Sequence, residues 1–238
     1  KFTIDEYKDI KNITLRNNSS LISTAKQYNI KSINPIWHFF NSFLGNVYTF
    51  GLIENKPDIY HVASLMTENQ QMFEFTKAFI KTCDVGISDI IINDYINNED
   101  GKTVYFPSFI HTFKDKQFGI TQFDESSGTK YLFSLLGFYW SVLNFGGVLI
   151  MDEFDINLHP HILPKLVTMF LDKDFNKSKA QIIFTTHNDN VMDSISKYRN
   201  FLINKEDNES FGYRLDEISD EVLRNDRKIS PIYNSGSI

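Results

Sequence analysis

Asp152 and Glu153 follow four apolar residues in the run Val148-Leu149-Ile150-Met151-Asp152-Glu153. A short, continuously apolar run has the character of a strand covered on both faces. Such a strand presents its C-terminal end to the crevice where open α/β sheets bind ligands. Two adjacent acids there suit nucleotide hydrolysis: Asp152 to hold Mg2+, usually through a water, and Glu153 to orient and polarise the attacking water. A strand followed by a solvated acidic turn would leave the same letters. A second apolar strand ends in Ile182-Ile183-Phe184-Thr185-Thr186-His187-Asn188. An imidazole at that end can donate a hydrogen bond to a γ-phosphate oxygen, although an isolated histidine would be read as a helix-start residue. The third candidate is Asp124-Glu125-Ser126-Ser127-Gly128-Thr129-Lys130, between a strand and a helix. Free N–H groups and hydroxyls at a helix N-terminus attract anions, and glycine lets a phosphate approach closely. Ser126 or Ser127 would also serve there as a plain N-cap, and both roles can hold at once.

Two other matches carry less. Gly101-Lys102-Thr103 has the letters that end a phosphate-binding loop, but the required earlier glycine is Ile96, and strand-like Val104-Tyr105-Phe106 follows in place of a helix. Asp100-Gly101 is a hairpin turn signal. His159-Pro160-His161 lies near Asp152 and Asp155, but histidines flanking a proline at a helix start are expected to diverge, which disfavours a transition-metal site. His38, His61 and His111 are expected to be packing or surface residues.

The elements that must position these groups change character along the chain. The first third has helical spacing: Asn34-Pro35 supplies an N-cap and first-turn proline ahead of Ile36, Phe39, Phe40 and Phe43. Thr67-Glu68-Asn69-Gln70 has the form of a capping box before Met72, Phe75 and Phe79. Gly86 closes that stretch. Residues 87–96, 103–113 and 118–123 are rich in Ile, Tyr, Phe and Thr, and predict three strands in an antiparallel meander. Beyond residue 124, strand and helix alternate: a helix over 129–144, a buried strand over Val148–Met151, a helix over 161–171, a second buried strand over 181–185 and a short helix over 189–196. Such alternation predicts an α/β core with a parallel sheet. Edge strands are expected at 201–204 and 211–215 around a polar turn at 205–210.

The chain has 238 residues, 23% charged and 42% hydrophobic, ordinary values for a globular protein. A net charge of −6 argues against a surface coated for nucleic acid, while leaving a local basic patch open. Cys83 is the only cysteine, so neither an internal disulfide nor a cysteine-based zinc site can form, and a cytoplasmic location is expected. No apolar run approaches the ~18 residues of a membrane span, and Lys-Phe-Thr-Ile-Asp-Glu is no signal peptide. Without an initiator Met, residue 1 is taken as an internal starting point.

Together the three segments resemble the ABC-type, AAA-like ATPase heads of bacterial ATP-binding proteins from abortive-infection and related phage-defence systems. Ser126-Ser127-Gly128-Thr129 resembles their signature, Gly147 through Asp152-Glu153 their Walker B strand, and Phe154-Asp155-Ile156-Asn157-Leu158-His159-Pro160 the D-loop. Thr185-Thr186-His187 resembles the switch-histidine strand. Weaker likeness runs through 20–43, Phe109-Ile110-His111, Leu223-Arg224-Asn225-Asp226 and Ile232-Tyr233.

The resemblance implies an α/β ABC-type head: a parallel-sheet core with an antiparallel portion and a helical lobe, incomplete at its N-terminus. It divides the chain into a helical lobe with antiparallel strands (1–118) and the C-terminal part of the core (119–238). It implies Mg-dependent ATP hydrolysis with ATP sandwiched between two heads. Asp152 would bind Mg2+, Glu153 would be the catalytic carboxylate and His187 would sense the γ-phosphate. Ser126, Ser127, Gly128 and Thr129 would meet the nucleotide, with Ser127 and Gly128 touching the γ-phosphate of the partner's ATP. No phosphate-binding loop and no glutamine loop is recognisable, so this chain alone is expected to be inactive. The implied function is a defence ATPase controlling an effector protein, a nuclease or toxin. A chromosome-maintenance or DNA-repair head is the alternative, disfavoured because 1–123 lacks sustained heptads. A non-hydrolysing ATP-dependent scaffold is another. A homo-oligomer is implied, a nucleic-acid ligand stays open, and no membrane partner is implied.

Overall fold

In the computed structural model Ser20 caps the helix that begins at Leu21, its hydroxyl accepting the Ser23 N–H at 3.1 Å. The structure describes residues 16–48, 51–52, 58–114, 116–219, 223–224 and 227–238, with Lys8 and Lys11. The opening Lys-Phe-Thr-Ile-Asp-Glu and Asn225-Asp226 lie outside them. Helix α1 (Leu21–Gln27) leads through a 3-10 turn into α2 (Asn34–Asn41). Asn34 is the first residue of α2 and not its cap, and Phe43 has left the helix. Phe43 instead opens strand β1 (Phe43–Gly45), followed by the short strands β2 (Val47–Tyr48) and β3 (Gly51–Leu52). The helical spacing of Phe39, Phe40 and Phe43 survives only as an aromatic cluster, with ring centroids 5.1–5.7 Å apart.

Helices α3 (Ile59–Glu68) and α4 (Gln70–Cys83) follow. The expected capping box is displaced by two residues: Thr67 belongs to α3, and Asn69 caps α4 by accepting the Met72 N–H at 3.0 Å. A single residue separates the two helices, and both its side chain and its carbonyl take N–H groups of the first turn of α4.

Strands β4 (Ile87–Ile96), β5 (Thr103–Phe113) and β6 (Lys116–Thr121) form the antiparallel sheet, in the order β4-β5-β6. Asn97 donates to Lys102 O at 2.8 Å across the β4–β5 turn, and Gly101 takes φ +70° there. The Gly101-Lys102-Thr103 triplet is therefore a hairpin.

Helix α5 (Ser127–Phe145) runs through the middle of the molecule. It is apolar nearly all round, as a buried helix must be. Phe133, Leu135, Leu136 and Tyr139 are shut off from solvent. Strand β7 (Val148–Met151), α6 (Leu163–Leu171) and β8 (Gln181–Phe184) complete a parallel sheet in the order β1-β7-β8. Phe43 lies opposite Val148, and Met151 opposite Phe184. The parallel α/β core is thus present, together with the separate antiparallel sheet. Strand β8 is less covered than its sequence predicts: Gln181 and Ile183 are exposed, because β8 is the edge of the sheet among the described strands.

Strands β9 (Phe201–Glu206) and β10 (Glu209–Arg214) form a hairpin around Asp207 and Asn208, both at positive φ. Two left-handed residues make the tight turn that matches strand twist, so the six-residue turn expected at 205–210 contracts to two. Helix α7 (Ser230–Asn234) follows, held by Asp193, whose carboxylate accepts from Ile229 N–H, Ser230 N–H and Ser230 Oγ at 2.6–3.0 Å. No helix among the described residues is long and apolar enough to cross a membrane.

Candidate functional site

Strands β7 and β8 end side by side, and the hydrogen-bond ladder continues past their last residues. Thr185 donates its N–H to Met151 O at 3.0 Å, and Phe154 donates to Thr185 O at 2.9 Å. Glu153, between those bonds, takes φ +50°, a left-handed conformation that costs a non-glycine residue on the order of 1–3 kcal/mol. One hydroxyl spans both acids. Thr185 Oγ1 accepts the Glu153 N–H at 2.9 Å and donates to Asp152 Oδ1 at 2.5 Å. Asp152 and Glu153 are half-buried at the rim of the sheet.

The histidine segment is tied to the turn after the acids by a second carboxylate. Asp155 Oδ1 accepts from Thr186 Oγ1 at 2.7 Å and from the His187 N–H at 3.2 Å. Thr186 Oγ1 in turn accepts the Asn188 N–H at 3.0 Å. His187 itself is exposed at the end of β8, on the same rim as Asp152 and Glu153. Hydrogen bonds thus bring together two segments that are far apart in sequence.

The Ser126–Thr129 segment begins α5. Ser126 is the N-cap: its hydroxyl accepts the Thr129 N–H at 3.1 Å and donates to Thr129 Oγ1 at 2.8 Å. Thr129 is buried, while Ser127 is exposed. Gly128 lies against the turn after β7, where an added Cβ would come within 2.9 Å of Asn157 O. Its smallness is therefore required inside this chain, whatever approaches from outside. The preceding residue, Glu125, is buried; its Oε1 accepts the Ser126 N–H at 2.6 Å and its Oε2 pairs with His111 Nε2 at 2.8 Å. His111 also stacks on Phe118, so it anchors the start of α5 to the antiparallel sheet beyond merely filling space.

His159 and His161 do not diverge as their spacing suggests: their rings lie 5.1 Å apart, because the turn folds His161 N–H back onto His159 Nδ1. Among the described residues no three His, Cys, Asp or Glu side chains gather as a metal cluster. A magnesium ion bound with a nucleotide needs less: one or two carboxylates, waters and phosphate oxygens. The hard oxygen donors of Asp152 fit it, with Oδ1 fixed by Thr185.

Sequence spacing located the acids, the histidine and the serine–glycine segment, and missed the residues that hold them. Thr185 and Asp155 lie within the motifs but carry no chemical signal of their own. Asn46, which bonds to the backbone of Asp152, had no sequence signal at all.

Residues 2–193 match the family described as "AAA domain, putative AbiEii toxin, Type IV TA system". The chain belongs to that family. It is thereby related to the AAA/ABC-like ATPases of abortive-infection systems. No curated protein is significantly similar in sequence. Among solved structures, a chain from work on ATP-driven dimerization and DNA-stimulated activation of SMC ATPases is 16% identical, with a TM-score of 0.46, covering 74% of this chain and 98% of its own. An Smc head from Pyrococcus furiosus with an extended coiled coil, bound to the C-terminal domain of ScpA, is 16% identical with a TM-score of 0.40. An SmcHead bound to the C-winged helix domain of ScpA is 14% identical with a TM-score of 0.45. This chain spans 48% and 62% of those two chains, and they span 88% and 84% of it. At these scores the likenesses add nothing to the family assignment.

Proposed function

We propose that this chain is part of an ATP-binding and ATP-hydrolysing head, in which two heads sandwich ATP and control an associated effector protein in anti-phage defence. The observation that carries the reading is the single Thr185 hydroxyl joining the Asp152 carboxylate and the Glu153 backbone at the ends of two parallel strands. Asp152 would hold Mg2+ and Glu153 would orient the attacking water. The metal, when bound, neutralises charge building on the phosphate oxygens. His187, exposed on the same rim, would donate to the γ-phosphate, and the exposed Ser127 with Gly128 would meet the nucleotide held by the partner head. Membership of a family described by a putative toxin and a toxin–antitoxin system supports the effector reading.

The test is Glu153→Gln in the full-length protein. ATP binding should persist, and steady-state hydrolysis should fall by about 10²–10⁴-fold, the usual size of a lost general base. A rate within a few-fold of wild type would overturn the assignment. A wild-type protein that binds ATP without turnover would favour the interaction scaffold.

A further inference from the structure

We infer that Asn46 is a positioning residue for the metal-binding carboxylate, acting through the backbone of Asp152; this rests on the function proposed above. Asn46 follows β1 directly, and its side-chain amide is bonded at both ends to one peptide residue. Asn46 Oδ1 accepts the Asp152 N–H at 2.7 Å, and Nδ2 donates to Asp152 O at 2.8 Å. Its own N–H donates to Ile150 O at 3.2 Å. The side chain therefore extends the β1–β7 ladder past the last paired residues, Gly45 and Ile150.

The approach is close by necessity. A Cβ at Gly45 would stand 2.0 Å from Ile150 O, so a larger residue there would push β1 away and lift Asn46 off Asp152. The two flanking strands divide the labour. Thr185 on the β8 side fixes the Asp152 carboxylate and the Glu153 N–H, and Asn46 on the β1 side fixes the Asp152 peptide. Asp152 is thus held from both sides immediately before Glu153 turns to φ +50°. Asn46 would then act on a bound metal through the Asp152 backbone, from which the carboxylate projects, while Thr185 fixes the carboxylate itself.

Asparagine suits this position because its amide offers one acceptor and one donor at fixed separation. Aspartate would accept the N–H but set a carboxylate against the Asp152 carbonyl. Alanine would lose both bonds, and glutamine would overshoot by a methylene.

The experiment uses the complete protein with Asn46→Ala and Asn46→Asp. Mn2+ affinity of the ATP-bound protein is read by electron paramagnetic resonance, beside ATP affinity in EDTA and thermal unfolding. Residues that orient metal ligands typically change metal affinity by about 10–100-fold, and a loss of that size is expected for both variants, with ATP affinity in EDTA within about twofold of wild type. Should the alanine variant fail to fold, the aspartate variant, which keeps one of the two bonds, carries the test. Unchanged Mn2+ affinity in a folded variant, even one with a lowered unfolding temperature, would show a purely structural staple and overturn the inference. Failure here with loss of hydrolysis in Glu153→Gln leaves the proposed function standing. An unaffected Glu153→Gln overturns that function first.

Discussion

The middle of α5 and the turn after β7 are both immobilised, by opposite means. Leu132, Phe133, Leu135, Leu136 and Tyr139 are surrounded by apolar groups from α3, α4, β5 and α6, and among the described residues no polar partner directs Tyr139. Dispersion and water exclusion hold them, and these forces have no preferred direction. The turn is half-exposed, and its geometry comes from directed bonds: Asn46 and Thr185 on Asp152, and Asp155 on Thr186 and His187. A packed helix gives rigidity without placing any one atom. A site that must aim a carboxylate and an imidazole needs bonds with direction, and it places them at the rim, where a ligand can reach.

This contrast makes three ordered expectations. The largest is for Leu136→Ala in the core, where a fully buried leucine is replaced by a cavity. Unfolding should cost about 2–5 kcal/mol less than in wild type, measured by denaturant titration, while the acid turn keeps its hydrogen-exchange pattern. A loss below ~1 kcal/mol would mean that α5 is not the packing centre. The intermediate effect is for Thr186→Val, which keeps the shape but deletes the bond to Asp155 and the one accepted from Asn188. Two such bonds are together worth on the order of 1–3 kcal/mol, and the loss should be local. Amide exchange at 186–188 should accelerate with little change in global unfolding; equal acceleration across α5 would show that the two regions are one cooperative unit. The smallest effect is for Tyr139→Phe. The Tyr139 hydroxyl is buried without a partner among the described residues, and burial pushes its pKa well above the usual tyrosine value. Removing it should leave stability unchanged or raise it by about 1 kcal/mol in thermal unfolding. A clear loss would show that the core also depends on a polar contact.

Legibility in the sequence follows the same division. The α5 region was visible as Leu132, Leu135, Leu136, Tyr139 and Leu143 at helical spacing on one face, because burial of one element demands many apolar residues in a repeating pattern; that Phe133 is buried as well came only from the fold. Residues 148–151 were visible for a similar reason, and so was the antiparallel meander, where three aromatic and β-branched runs pair locally. The acid pair, His187 and the serine–glycine segment stood out as unusual letters at the ends of predictable elements. Their holders did not. Asn46 is a lone polar residue after three residues of strand that resemble the end of a helix, and nothing near it in sequence signals a partner at Asp152. His111 likewise looked like a surface or packing residue until β5 brought it onto Glu125.

By itself, then, the sequence determined which segments are strands and helices in the core half, and which acids, hydroxyls and imidazole lie at their ends, because periodicity and chain order are local properties. Tertiary structure decided that Phe43–Gly45 is a strand and not the end of a helix, since pairing with Val148–Ile150 outweighs the helical spacing of three phenylalanines. It also decided which side chains aim the acids. A hydrogen bond between residues 106 apart depends on strand order and register, and no local pattern encodes either.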